Sequence, residues 1–137
     1  MQDFDKALEF GEKEKKQNPL RSDGDSVLGE VYTFMEEWDK AIKHFEQAIS
    51  LNTKDQDALL NLGFIRKEQR QFEQAKELLV RAKSVNDKNP QVYRVLADIY
   101  RGMNQTDLAI EQYEAYLKMN PAASDKTEVE GIIKSLR

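Results

Sequence analysis

At 137 residues, with 39% hydrophobic and 34% charged residues but only 3 Pro and 6 Gly, the chain has the length of one domain and a composition that favours long amphipathic helices over strands or disorder. A formal net charge of -4 and a pI near 5.2 leave no broad basic surface, which excludes nucleic acid as an expected partner, because counterion release from phosphates supplies most of that affinity. The absence of cysteine removes disulfides, thiolate metal sites and cysteine nucleophiles, and no apolar run is long enough for a bilayer.

The start, Met1-Gln2-Asp3-Phe4-Asp5, lacks the basic and apolar parts of a signal peptide. A soluble chain without membrane insertion is expected, with the compartment open and the cytoplasm preferred to the periplasm. The first element, within residues 1–21, is one helix ending near Gln17, before Asn18-Pro19. It should leave Phe4, Ala7 and Leu8 uncovered. Residues 22–55 then supply two helices, 23–35 and 38–51; residues 56–89 supply 56–69 and 72–85; residues 90–123 supply 90–103 and 106–119. The pairs Asn89-Pro90 and Asn120-Pro121 punctuate the chain as Asn18-Pro19 does, since the ring cannot continue a helical ladder and biases its predecessor out of the helical region. Residues 124–137 form a last helix, in which Val129, Ile132, Ile133 and Leu136 pack inward while Thr127, Glu130 and Lys134 meet water.

These elements repeat. Ala7, Ala41, Ala75 and Ala109 recur every 34 residues, as do Gly29, Gly63, Ala97 and Gly131, and Val31, Ile65, Ile99 and Ile133. Phe4, Trp38 and Phe72 form a fourth ladder, which Thr106 breaks. Helices approach closely only where side chains are small, so Gly29 is expected to face Ala41, Gly63 to face Ala75 and Ala97 to face Ala109, with aromatics filling the flanks.

Leu28-Gly29, Tyr32, Ala41, Phe45 and Ala48, followed by Leu62-Gly63, Ala75 and Ala82, and by Leu96-Ala97, Tyr100, Ala109, Tyr113 and Pro121, resemble the tetratricopeptide repeat family. Arg66 and Leu79 depart from the pattern at an expected tyrosine and an expected aromatic, and Thr53 and Asp87 stand at the closing proline. The resemblance covers nearly the whole chain. It implies an all-α fold, a right-handed α-α superhelix of helix-turn-helix units, arranged as a single domain over 1–137. Within that domain, 1–21 is the second helix of a partial repeat, 22–55, 56–89 and 90–123 are full repeats, and 124–137 is a capping helix.

Two accounts of the first element stay open. Each repeat buries its apolar side only against its neighbours, so a fragment of a longer array, or a face covered by a partner, is one. A degenerate first unit is the other, supported by Gly11, Glu14 and the solvating run Glu12-Lys13-Glu14-Lys15-Lys16.

The same elements carry no expected site of chemistry. His44, the single histidine, lacks the several N or S ligands that zinc needs and reads as a surface residue. Asp23-Gly24-Asp25 departs from a calcium loop at Val27 and Leu28, and helix capping by Ser22 or Asp23 accounts for it. Glu36-Glu37 reads as a solvated turn with no apolar pocket for acid-base work. Asn104-Gln105-Thr106 matches the glycosylation triplet only as chance allows. Trp38, sharing a register with Phe4 and Phe72, reads as core packing. No catalytic, metal or cofactor residue is therefore assigned.

In the family, the exposed stripe of each first helix lines a concave groove that grips peptides. Carried onto this sequence, the stripe is Ser26, Val27, Glu30 and Phe34; Leu60, Asn61, Phe64 and Lys67; and Arg94, Val95, Asp98 and Arg101. Leu60 and Phe64, flanked by Val27 and Val95 and near the cations Lys67, Arg94 and Arg101, suggest a partner with an apolar anchor and an acidic group. Some relatives clamp chaperone tails with lysine and asparagine on this face; Ser26 with Glu30, Leu60 with Phe64, and Arg94 with Asp98 do not supply that clamp. The expected function is a non-catalytic scaffold that binds a peptide or helix of a partner protein. Self-assembly through the uncovered first helix, and service as the interaction arm of a larger enzyme, are the alternatives.

Overall fold

The computed structural model describes residues 3–137. Eight helices follow one another: α1 (Phe4–Gln17), α2 (Asp23–Phe34), α3 (Trp38–Leu51), α4 (Gln56–Glu68), α5 (Phe72–Val85), α6 (Pro90–Gly102), α7 (Thr106–Met119) and α8 (Lys126–Leu136), with no strand among the described residues. The chain is all-α, a superhelix of helical repeats, as the ladder spacing predicts. Periodicity located the second helix of each repeat to the residue, and overran the first helices by a single residue at their ends.

That overrun has one cause, repeated three times. Glu36, Arg70 and Asn104, again 34 residues apart, hold φ near +60°, at 59°, 61° and 61°. Each lies just past a first helix, and the next residue donates its N–H back five positions: Glu37 to the Tyr32 carbonyl, Gln71 to Arg66 and Gln105 to Tyr100, all at 2.9 Å. This is the left-handed helix ending that glycine usually occupies. Here a glutamate, an arginine and an asparagine adopt it, so the stop carries no glycine signature in the sequence. Other ends are capped by side chains. Asp55 accepts from the Ala58 N–H at 3.0 Å and Asn89 from the Gln91 N–H at 3.0 Å, while Pro90 opens α6 where its missing N–H is harmless.

The core is a chain of linked clusters. Ala41, Phe45, Ala48, Ala58, Leu62 and Ile65 form one, and Leu59, Ala75, Leu79, Val92, Leu96 and Ile99 lead the next. Tyr93, Ala97, Ala109, Tyr113, Tyr116, Val129 and Ile133 form the third, which joins α8 to the last hairpin. Ile49 and Leu78 belong to the margins of the first two clusters and Tyr100 to those of the second and third, so burial runs unbroken along the stack. Polar ties reinforce it at the junctions: the Gln56 amide donates to the Ala82 and Asn86 carbonyls, both at 2.8 Å, and accepts from Asn89 at 3.2 Å.

The small-residue ladder packs differently from expectation. A Cβ placed on Gly29 would lie 2.6 Å from the Phe45 ring, and one on Gly63 would lie 2.0 Å from Leu79, so each glycine admits the large residue one turn beyond the alanine assigned to it. Ala41, Ala75 and Ala109 are fully buried; the Ala75 carbonyl lies 3.5 Å from a Cβ on Gly63, as expected, and Ala97 and Ala109 share one core cluster, but the tightest contacts of the two glycines are with Phe45 and Leu79. Gly131, in the same register, meets nothing within 4 Å. On α1, Phe4, Ala7 and Leu8 are half-buried and Phe10 is the outward apolar residue, 58% exposed.

Candidate functional site

Among the first helices, α2 touches α4 and α4 touches α6, whereas no such contact joins α3 to α5 or α5 to α7. The first helices are thus crowded on the inside of a curve and the second helices spread on its outside. The stripe named from the sequence lies on these inner helices, but its twelve residues have unequal access.

Phe34 and Phe64 stand out of the wall, 68% and 38% exposed, and Arg101 is exposed as well. Val27, Glu30, Leu60, Asn61, Lys67, Arg94 and Asp98 are half-buried. Ser26 and Val95 are buried, each 8% exposed, and so cannot form the wall that the helical wheel assigned to them. Val95 belongs to the core cluster of α5 and α6, and Leu60 leans on the same cluster. A wheel treats a helix as an isolated cylinder, while α4 here is flanked by four other helices and α2 and α6 by three each. The apolar spot expected of Leu60 and Phe64, flanked by Val27 and Val95, thus loses Val95 to the core, and its exposed ring is Phe64, with Phe34 as a second on α2.

Two cavities adjoin them. One, about 200 Å³, is lined by Glu30, Thr33, Phe34 and Asn61. The larger, about 570 Å³, is lined by Trp38, Asp39, Phe64, Ile65, Glu68 and Gln69. Asn61 and Phe64 are three residues apart on α4, so the cavities open along one helix face. Trp38 is 42% exposed, which overturns its reading as core. The reason lies one register on, where Phe72 seats against Gly102, whose added Cβ would be 2.5 Å from the ring. The residue that takes the place of Gly102 in the Trp38 register is Glu68, so no glycine offers the indole a close seat there, and both residues line the cavity instead.

Two of the three cations of the wall, Lys67 and Arg94, are engaged internally. Lys67 reaches Glu68 at 3.2 Å and Asp98 at 3.6 Å. Arg94 lies at the centre of a clasp, donating to Asp98 at 2.6 Å and Asp125 at 3.2 Å, with Glu128 at 3.7 Å. The Tyr113 hydroxyl joins Asp98, and the Tyr116 hydroxyl donates to Asp125 at 2.6 Å. Burial and the adjoining Asp98 push the Tyr113 hydroxyl well above its ordinary pKa. The hydrogen bond from Tyr116, then Arg94, holds the Asp125 carboxyl below the usual range despite its partial desolvation. Of the three cations expected to meet an acidic partner, Arg101 alone pairs with no carboxylate among the described residues. Glu30, by contrast, is raised above the ordinary carboxylate value, first by burial and then by Asp57 and Asp55.

His44 is not a surface residue. Its side chain is 15% exposed, its Nδ1 lies 2.8 Å from Asp25 Oδ1, and its ring stacks on Tyr32 at 5.5 Å. Asp25 is fully buried and also meets Lys15 Nζ at 3.3 Å. Asp25 shares its register with Leu59 and Tyr93, and His44 shares its own with Leu78 and Gln112. Within this repeat, between α2 and α3, a polar pair stands where the next repeat has Leu59 and Leu78. Capping explains the acidic turn only in part: Ser22 is the N-cap residue of α2 without a side-chain cap bond, and Gly24 lets α2 approach the Lys15 backbone, 2.7 Å from an added Cβ. No group of three or more metal-ligating side chains occurs among the described residues. Sequence periodicity missed Trp38, Thr33 and Glu68 as wall residues; the break between Glu68 and Gly102 was the signal that could have found them.

No helix among the described residues is long and apolar enough to cross a membrane. No curated protein matches the sequence. In fold, the chain is similar to MamA, at 27% identity and a TM-score of 0.83 over 98% of this chain and 81% of that one. It is also similar to the TPR domain of Arabidopsis OM64, at 21% identity and a TM-score of 0.77 over 85% and 93%. YrrB, described as a TPR protein with an unusual peptide-binding site, aligns at 21% identity and a TM-score of 0.78 over 96% and 68%. The tetratricopeptide repeat pattern matches residues 35–99, and again residues 90–122. With the period of 34, the helix pairs and the inner wall in agreement with these matches, the chain belongs to the tetratricopeptide repeat family, whose members are protein-interaction modules.

Proposed function

We propose that this chain is a scaffold that holds a peptide or helix of a partner protein against the inner wall of α2, α4 and α6. The observation that carries this reading is the pair Phe34 and Phe64, 68% and 38% exposed on adjacent inner helices and each opening onto a cavity. Exposed aromatics beside concave space are what interfaces use as anchors, since a rigid ring buries much area at little entropic cost. The description of YrrB as a peptide binder supports the same use of the fold.

The test is a selection of random, charge-balanced peptides displayed on phage against the intact chain. Recovered peptides are expected to lose binding by about tenfold or more when Phe34→Ala and Phe64→Ala are combined, and to keep it when Val80→Ala removes an exposed residue of the outer helix α5. Peptides that ignore the first change and respond to the second would place the binding face elsewhere.

A second reading, self-association through α1, has support in the outward Phe10 and in Leu20, 84% exposed. Sedimentation velocity across a concentration series would show a rising mass, abolished by Phe10→Ser; a constant monomer mass would dismiss it.

A further inference from the structure

The wall beside Phe64 differs in chemistry from the acid-binding groove that the sequence suggested. The 570 Å³ cavity joins two aromatic rings and one aliphatic side chain, Trp38, Phe64 and Ile65, to the carboxylates of Asp39 and Glu68, and no cation lines it. From these residues we propose that the cavity receives a lysine or arginine side chain of the bound segment, so that the partner is a basic peptide. This inference rests on the groove reading above and names the chemistry of its occupant.

Three observations converge on a cation. Ring faces attract cations through their quadrupole, tryptophan most strongly. The fold already shows this at the same ring: Lys67 Nζ lies 4.5 Å from the centre of Phe64, and its charge is matched by Glu68 and Asp98. A lysine or arginine stem also suits the apolar lining while its head reaches a rim of carboxylates. Asp39 has no ion pair among the described residues, and neither do Glu30, Asp55 and Asp57 beside the neighbouring cavity. The Glu30 carboxyl is raised first by burial and then by the adjoining Asp57 and Asp55. An acidic segment would face these groups with Arg101 as the one uncommitted cation of the three on the wall.

Trp38 is the single tryptophan, so its emission reports occupancy directly. The peptides recovered from the selection are synthesised as found and with each Lys or Arg changed to Gln or Glu. The expected result is enrichment of Lys and Arg, a shift of Trp38 emission on binding, and a loss of about tenfold in affinity when the anchoring cation becomes Gln. Asp39→Asn with Glu68→Gln, neutral and nearly isosteric changes at exposed sites, should erase that discrimination while the helical signal and melting midpoint stay unchanged. Recovered peptides rich in Glu or Asp, or a preference untouched by the neutralised rim, would overturn the cation assignment and leave the groove standing. Failure to recover any peptide that depends on Phe34 and Phe64 would overturn both.

Discussion

Residues at equivalent places in the repeat have opposite roles according to what stands opposite them. Gly29 and Gly63 are required because Phe45 and Leu79 fill their space, whereas Gly131 meets nothing. Gly29→Ala should therefore cost about 1–3 kcal/mol through overpacking against a fully buried ring, while Gly131→Ala should gain about 0.8–1 kcal/mol of helix propensity inside α8. Urea unfolding of both variants checks the pair; equal effects would disprove the packing assignment. Glu30 gives a pH test. Its carboxyl is harder to ionise in the folded chain than in the unfolded one, so the folded state binds more protons between the two values and stability falls as pH rises through that window. Glu30→Gln should raise the melting midpoint at neutral pH, and the gain should vanish below the ordinary carboxylate range. Persistence of the gain in acid would show that charge is not its source.

At the scale of elements, α8 is held by apolar contact through Val129 and Ile133 and by the Arg94 clasp to Asp125 and Glu128. Arg94→Ala strands half-buried carboxylates on α6, at Asp98, and at the N-cap of α8, at Asp125, an effect on the order of 1–3 kcal/mol. The same clasp has a pH limit. Asp125 is depressed in the fold, so its contribution is present above the unfolded carboxylate value and lost as pH falls through the folded one. Amide exchange in α8 should accelerate in Arg94→Ala at neutral pH and in the native chain in acid. An α8 equally protected in all three conditions would mean that the clasp does not hold it.

The described residues form a stack in which contact passes from neighbour to neighbour, with α2 to α4 and α4 to α6 reaching further through their backbones and α6 to α8 through side chains. Stability in such arrays is close to a sum of unit and interface terms, so damage should stay local. Hydrogen exchange of Arg94→Ala is expected to rise across α6 to α8 while α2 and α3 keep their protection; uniform acceleration over all helices would instead indicate one cooperative unit. The stack also explains which features the sequence alone determined. Ladders at 34 residues, helical spacing of apolar residues and Asn-Pro stops are local and repeated, so they fixed the helices, the repeat class and the family. Access to the wall was not local. Ser26 and Val95 are covered by neighbouring helices, Trp38 lines a cavity with a glutamate 30 residues away, and Asp25 meets His44 across a helix pair. Which side chain is exposed, and which cation is free, depends on what the next repeat brings into contact, and only the tertiary structure sets that.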